Sequence, residues 1–210
     1  APNSRLVKFN LQAPTAWQDV IPESEHVLDA SAVGGYFFAQ YMVDAIARIE
    51  QYSLDGQRLR EIVLPGPGDA SGFRGKAKDT VAYYSFQNYK TPSTLFRLEL
   101  ASGNSSEYRA SKADFDSAGY VSKQVFYNSK DGTRVPMTIT HRADLDQNQT
   151  NPTMLYGYGG FDISLTPRFS STMAAWLEAG GVYAVPNLRG GGEYGKAWHD
   201  AGTQMQKQNV

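Results

Sequence analysis

The sequence predicts an all-β segment followed by an α/β segment, and three observations carry that expectation. Short strand-like runs of alternating polarity recur at a spacing in the mid-forties over residues 6–100. From Tyr120 onward the pattern changes to strand, helix, strand, helix, the rhythm of an α/β domain with a largely parallel sheet. Ten of the 20 glycines in this 210-residue chain fall in residues 151–210, marking a change of architecture near residue 150 or somewhat before it.

The β elements come first. Leu6–Leu11 places apolar side chains at Val7, Phe9 and Leu11, with Leu6 as the exception to the alternation. Arg48–Leu54 runs into the turn pair Asp55-Gly56, and Leu95–Leu100 alternates into Ala101-Ser102-Gly103. Alternation over such spans is the signal of a half-buried strand. The three segments end at Leu11, Leu54 and Leu100, which are 43 and 46 residues apart. Between them lie the aromatic runs Tyr36–Tyr41 and Val81–Phe86, which suit inner strands. A β-repeat of this period fits propeller blades, and an ordinary β-sandwich with unequal hairpins fits the same spacing. As a propeller, residues 1–116 hold two to three blades. A closed ring needs about 4–8, so that reading implies chain on the N-terminal side as well.

The second segment opens on Val121–Asn128 and Arg134–His141, flanking Ser129-Lys130-Asp131-Gly132-Thr133. Asp-Gly between two alternating runs predicts a hairpin. Residues 144–153 are polar, with Asn151-Pro152, and read as a surface loop. Met154–Gly157 is expected to be a short buried strand. Ser170 or Ser171 can cap a helix running to Gly180, with Met173, Trp176 and Leu177 on one face. Gly181–Val185 is the next strand, and Lys196–Gln208 a further helix.

Composition narrows the function classes. There are 20 Lys and Arg against 21 Asp and Glu, so no basic excess points to nucleic acid. No apolar run approaches the ~20 residues of a membrane-spanning helix, so no membrane partner is expected. The absence of Cys excludes a disulfide framework and thiolate metal sites, and leaves cytoplasm and periplasm both open. His26, His141 and His199 lack metal-ligand spacing and read as structural or surface residues. No metal or organic cofactor is implied.

Two glycine-rich strings carry the chemistry. Leu155-Tyr156-Gly157-Tyr158-Gly159-Gly160-Phe161 lies where a strand ends, the place at which ligand sites form in open α/β sheets. A glycine-rich turn with core aromatics would show the same spacing. Gly190-Gly191-Gly192-Glu193-Tyr194-Gly195 formally matches G-x-G-x-x-G between a strand and a helix, the dinucleotide-binding pattern. Arg189 and Glu193 could instead form a local ion pair that fixes this loop. No G-x-S-x-G or Gly-Ser-x-Gly-Gly elbow occurs, so no nucleophile of the α/β-hydrolase type is present.

Taken together, these strings resemble the opening of the catalytic domain in the prolyl oligopeptidase family of serine peptidases. The likeness is densest over residues 154–210, including Thr166-Pro167, Gly180-Gly181-Val182, Arg189–Gly195, Trp198-His199 and Lys207-Gln208-Asn209. Ser85–Pro92 also resembles a propeller strand and turn of that family. The resemblance implies an interior fragment: partial β-propeller over 1–116, then the first part of an α/β-hydrolase domain over 117–210. It implies that Tyr158 is the side-chain oxyanion-hole donor, that Phe161 lines the substrate cleft, and that Tyr156 packs. The family's Ser, Asp and His lie further downstream, so this chain alone is expected to be inactive. The expected partners are short proline-containing peptides and the remainder of the propeller and catalytic domain. A non-catalytic propeller binding module is the alternative of a different class.

Overall fold

The computed structural model describes residues 2–146 and 148–210; Gln147 of the expected polar loop, and Ala1, lie outside them. The chain opens with a two-stranded antiparallel ribbon, β1 (Leu6–Asn10) and β2 (Ala13–Ile21). Two four-stranded antiparallel sheets follow, each running in chain order. The first is β3 (Val27–Val33), β4 (Tyr36–Val43), β5 (Ile46–Ser53) and β6 (Arg58–Ile62). The second is β7 (Asp69–Gly72), β8 (Val81–Gln87), β9 (Thr94–Glu99) and β10 (Ser105–Arg109). Both aromatic runs occupy an interior strand, β4 and β8. The recurring segments of the sequence are β1, β5 and β9. β5 and β9 are each the third strand of a four-stranded sheet, so β1 and β2 stand in the position of a blade's last two strands. These are propeller blades.

The blades pack face to face, which is what their alternating side chains require. The larger core lies between the two four-stranded sheets and includes Phe38, Ile49 and Ile62 from the first and Phe73, Tyr84, Phe86 and Leu98 from the second. Aromatic rings stack through it: Phe38 on Phe73 at 5.5 Å between centroids, Phe73 on Tyr84 at 4.7 Å, and Tyr84 on Phe96 at 5.3 Å. Two buried polar groups tie the sheets together. Ser31 Oγ donates to Phe73 O at 2.9 Å, and Gln51 Nε2 donates to Leu100 O at 2.8 Å. A second core of Val20, Ile21, Leu28, Ala39, Tyr41 and Tyr52 joins the ribbon to the other face of the first sheet.

The last sheet is mixed. Strands β11 (Tyr120–Asn128), β12 (Arg134–Arg142), β13 (Thr153–Leu155) and β14 (Val182–Pro186) lie in the order β11-β12-β14-β13. Only β13 and β14 pair in parallel, because the Asp131-Gly132 hairpin makes β11 and β12 antiparallel and β12 meets β14 antiparallel. The largely parallel sheet expected from the strand-helix rhythm is thus confined to one pair. Helix α1 (Ser171–Glu178) packs on β12 and β14. Leu177 is fully buried there, and Met173 and Trp176 pack partly against the same core. Ser170 sits at the N-cap position without a side-chain capping bond. The helix ends in a Schellman arrangement: Gly181 N bonds Trp176 O and Gly180 N bonds Leu177 O, with Gly180 at φ +87°.

Three local expectations are corrected. In β1 it is Leu6 that packs against the ribbon core, while Phe9 and Leu11 are exposed. A register shift between Leu6 and Val7 reverses the alternation there, and Leu11 falls in the turn. The strand at Met154 is exposed rather than buried, since β13 lies at the sheet edge and pairs with β14 alone. The helix expected over 196–208 breaks into α2 (Lys196–Asp200) and a 3-10 helix over Gln204–Asn209. The cause is tertiary: Trp198 O, the acceptor needed to continue α2, takes Gly190 N–H instead. Gly202 is pressed so closely on the Arg189–Gly190 backbone that a Cβ would stand 2.4 Å from Gly190 N.

Candidate functional site

The site is built at the carboxyl end of β13. Tyr156 N donates to Ala184 O, extending the parallel pairing by one residue. The chain then leaves the sheet as Gly157-Tyr158-Gly159-Gly160-Phe161. Gly157 rests on Leu188. Tyr158 is 42% exposed and Phe161 84% exposed, their rings tilted at 6.5 Å between centroids. Among the described residues the Tyr158 hydroxyl has no hydrogen-bond partner. Gly159, Phe161 and Asp162 all adopt left-handed backbone, at φ +59°, +54° and +59°. Tyr156 is half exposed and lines a cleft of about 340 Å³ with Tyr89, Tyr183, Leu165 and Arg168.

The second glycine string forms the floor under this loop. Asp162 N donates to Gly190 O at 3.1 Å, and the same carbonyl lies 2.7 Å from His199 Nδ1, which donates to it in its Nδ1–H tautomer. Gly190, Gly191 and Gly192 are buried beneath Asp162, Ile163 and Ser164. That burial leaves no open cradle of backbone N–H groups for a pyrophosphate, and α2 beyond it has only five residues. The dinucleotide-binding reading is therefore discarded. The three histidines stand apart. His26 lies 3.6 Å from Glu25, His141 Nδ1 lies 2.7 Å from Arg142 O, and His199 serves the loop. Among the described residues no group of three or more His, Cys, Asp or Glu is placed to hold a metal ion.

Arg189 and Glu193 do not pair with each other. Arg189 is buried and reaches back to the hairpin turn, where it bonds Asp131, Ser129 Oγ and Thr133 Oγ1. Its guanidinium holds the Asp131 carboxyl well below the usual carboxylate range. Glu193 is buried on the opposite side. Its Oε1 accepts from Leu165 N at 2.9 Å and from Asn187 Nδ2 at 3.2 Å, while Asn187 Nδ2 also donates to Leu165 O at 2.8 Å. Tyr194, next in sequence, donates to Asp44 Oδ1 at 2.5 Å in the tight β4–β5 turn. One short segment thus fixes the β11–β12 hairpin, the cleft loop and the first four-stranded sheet at once. Nothing in the sequence flagged Asp131, Asn187 or Asp44 for these roles, because their partners lie 6 to 150 residues away.

Burial raises the Glu193 carboxyl above its ordinary value of 4.5. The folded protein therefore binds this proton more tightly than the unfolded chain, and stability falls as pH rises from about 4.5 through the folded value. Glu193→Gln keeps the acceptor for Leu165 and stays neutral. Its melting temperature is expected to fall less steeply with pH over that window. Parallel slopes for the two proteins would show that Glu193 does not titrate there.

Residues 1–111 match the family model described as the N-terminal β-propeller domain of prolyl oligopeptidase, and residues 167–210 match the prolyl oligopeptidase family model. The chain is 55% identical over its whole length to a prolyl endopeptidase of Elizabethkingia meningoseptica, and 35% identical to one of Dictyostelium discoideum. It spans 30% of each of those relatives. Among solved structures, it superposes at TM-score 0.91 and 42% identity on a prolyl endopeptidase, covering all of this chain and 32% of that one. It superposes at TM-score 0.89 and 31% identity on prolyl oligopeptidase B of Galerina marginata bound to a 35-residue substrate, covering 30% of that chain. Propeller blades, an opening mixed α/β sheet and matches along the full length agree: the chain belongs to the prolyl oligopeptidase family.

Proposed function

We propose that residues 1–210 form part of a serine endopeptidase that cleaves short peptides after proline, and that Tyr158 is its side-chain oxyanion donor. The carrying observation is the display of Tyr158. It stands half exposed beyond the carboxyl end of β13, hydroxyl unengaged, on a loop braced from below by the buried 189–195 segment. Phe161, beside it and 84% exposed, is the residue that offers the substrate an apolar surface in this reading, although it does not line the cleft of about 340 Å³ at Tyr156. The boundary between propeller and catalytic domain falls near residue 116. Its support is that the propeller match ends at 111 and β11 begins at Tyr120 after a 3-10 turn capped by Asp116.

The chemistry is acyl transfer. A serine hydroxyl attacks the scissile carbonyl and gives its proton to a histidine base, the C–N bond breaks as that proton passes to the leaving amine, and water hydrolyses the ester. The carbonyl oxygen becomes an oxyanion on the way. A backbone N–H and the Tyr158 hydroxyl donate to it. The serine, its base and the aspartate belong to the rest of the enzyme, since no elbow motif occurs in residues 1–210.

A fluorophosphonate probe on the full-length enzyme carrying this segment should label one serine outside residues 1–210. The 210-residue chain alone should not turn over a proline-linked fluorogenic dipeptide. Labelling within the segment, or turnover by it that resists serine-directed inhibitors, would overturn this reading.

A further inference from the structure

Residues 159–162 cannot hold their own shape. Phe161 and Asp162 are non-glycine residues in the left-handed region, a conformation that is unfavourable for side chains with a Cβ and persists where surrounding groups over-determine it. Within the loop, only Ile163 N bonds back, to Gly160 O. One outside restraint acts at Asp162 N, which donates to Gly190 O at 3.1 Å and lies 3.1 Å from His199 Nδ1. The other comes from the last residues of the chain. Lys207 Nζ donates to Gly159 O across 48 residues of sequence. A Cβ placed on Gly160 would have Lys207 Nζ and Tyr158 Cε1 each at 3.9 Å, so the ammonium and the tyrosine ring flank the same glycine. Behind Gly159, the Val210 side chain, Leu188 and Arg189 O fill the space that a Cβ would need.

The segment that delivers Lys207 is itself anchored. Asn209 Nδ2 donates to Ala201 O at 3.0 Å, and Val210 N donates to Lys207 O at 3.2 Å, closing the 3-10 helix. Among the described residues no carboxylate forms a salt bridge with Lys207, in contrast to Lys196, which is paired with Asp200. Its charge is directed at the loop carbonyl alone.

We propose that Lys207 is a positioning residue for Tyr158: by clamping Gly159 O it fixes the peptide that follows Tyr158 and so aims the hydroxyl. This inference rests on the oxyanion reading of Tyr158. A hydrogen bond from an ionised donor is about twice as strong as a neutral one, and Lys207 supplies it at Gly159 O, whereas the other outside hydrogen bonds of residues 159–162 meet at Asp162 N. The clamp acts before any substrate arrives. Its loss should spread Tyr158 over several orientations and lower the fraction of enzyme ready to hold the oxyanion.

The test is a double-mutant cycle in the full-length enzyme with a peptide substrate. Lys207→Met keeps the aliphatic stem and removes the donor. It should lower kcat roughly tenfold, equivalent to about 1.4 kcal/mol, and leave KM within about twofold. Lys207→Arg should restore most of the rate. In a Tyr158→Phe background, Lys207→Met should cost less than about twofold, since the hydroxyl it aims is gone. Lys207 is exposed, so both variants should melt close to the parent enzyme; Lys207→Ala, which also removes the donor, serves if Lys207→Met does not fold. A large Tyr158→Phe loss combined with a silent Lys207→Met, or with a tenfold loss in both backgrounds, would overturn the inference alone. A Tyr158→Phe enzyme with unchanged kcat would overturn the oxyanion reading and this inference with it.

Discussion

Tyr158→Phe in the full-length enzyme is expected to lower kcat for a peptide by roughly 10²–10³, about 2.7–4 kcal/mol, with little change in KM. A hydroxyl aimed at developing charge acts in the transition state and contributes little to ground-state binding. The ring is kept, and the hydroxyl has no partner among the described residues, so the melting temperature should barely move. Tyr156→Phe is the matched control, since that residue is also about half exposed but lies against the sheet end, where its N–H bonds Ala184 O. Equal losses in the two variants, or an effect of Tyr158→Phe on KM alone, would mean that the loop shapes the cleft without stabilising the oxyanion. Amide substrates are the right probe, because very reactive esters can make a step other than acylation limiting.

Phe73→Ala is expected to give the largest loss of stability, about 3–5 kcal/mol in the unfolding transition of the propeller. Phe73 is fully buried between the two four-stranded sheets, stacked on Phe38 on one side and Tyr84 on the other. Its left-handed backbone, at φ +58°, is shared by the alanine variant, so the difference reports mainly the lost ring and the cavity left behind. Sheets that meet face to face can relax only by sliding, and the Ser31–Phe73 and Gln51–Leu100 hydrogen bonds oppose that. Phe96→Ala, at the partly buried end of the same ring stack, should cost less. Chemical denaturation followed by near-ultraviolet circular dichroism would measure both. A loss below about 1 kcal/mol for Phe73→Ala would show that the two blades do not share one core.

The two effects differ in kind. Tyr158→Phe is expected to act on the transition state, with the ring unchanged. Phe73→Ala is expected to act on folding, in a core cluster that includes no residue of the loop that carries Tyr158. Below its melting point the Phe73→Ala enzyme should retain a near-normal kcat, which separates a scaffold residue from a site residue.

The legible parts of the sequence are those with a local cause. Asp131-Gly132 between alternating runs became the β11–β12 hairpin, and the aromatic runs at Tyr36 and Val81 became interior strands. Gly180 closed α1 as its position after Leu177 suggested, because a left-handed residue there satisfies the last carbonyls. The repeat seen at Leu11, Leu54 and Leu100 was real, since each segment is or mimics the third strand of a blade. Strands β2, β3, β6, β7 and β10 went unread. β6 and β10 are sheet-edge strands, with only a neighbouring strand to hold them and little apolar patterning to announce them.

The sequence by itself therefore determined the order of the architecture, the β11–β12 hairpin, the end of α1 and the identity of the glycine strings, which depend on backbone preference and on periodicity along the chain. Tertiary structure decided the rest. It paired Arg189 with Asp131 rather than Glu193, broke the last helix at Gly202, left β13 on an edge, and brought Lys207 to Gly159 O. Each of those outcomes is a choice among partners far apart in the chain. Such a choice is made by which surfaces pack and which buried polar groups must find a partner, and neither is written in local sequence.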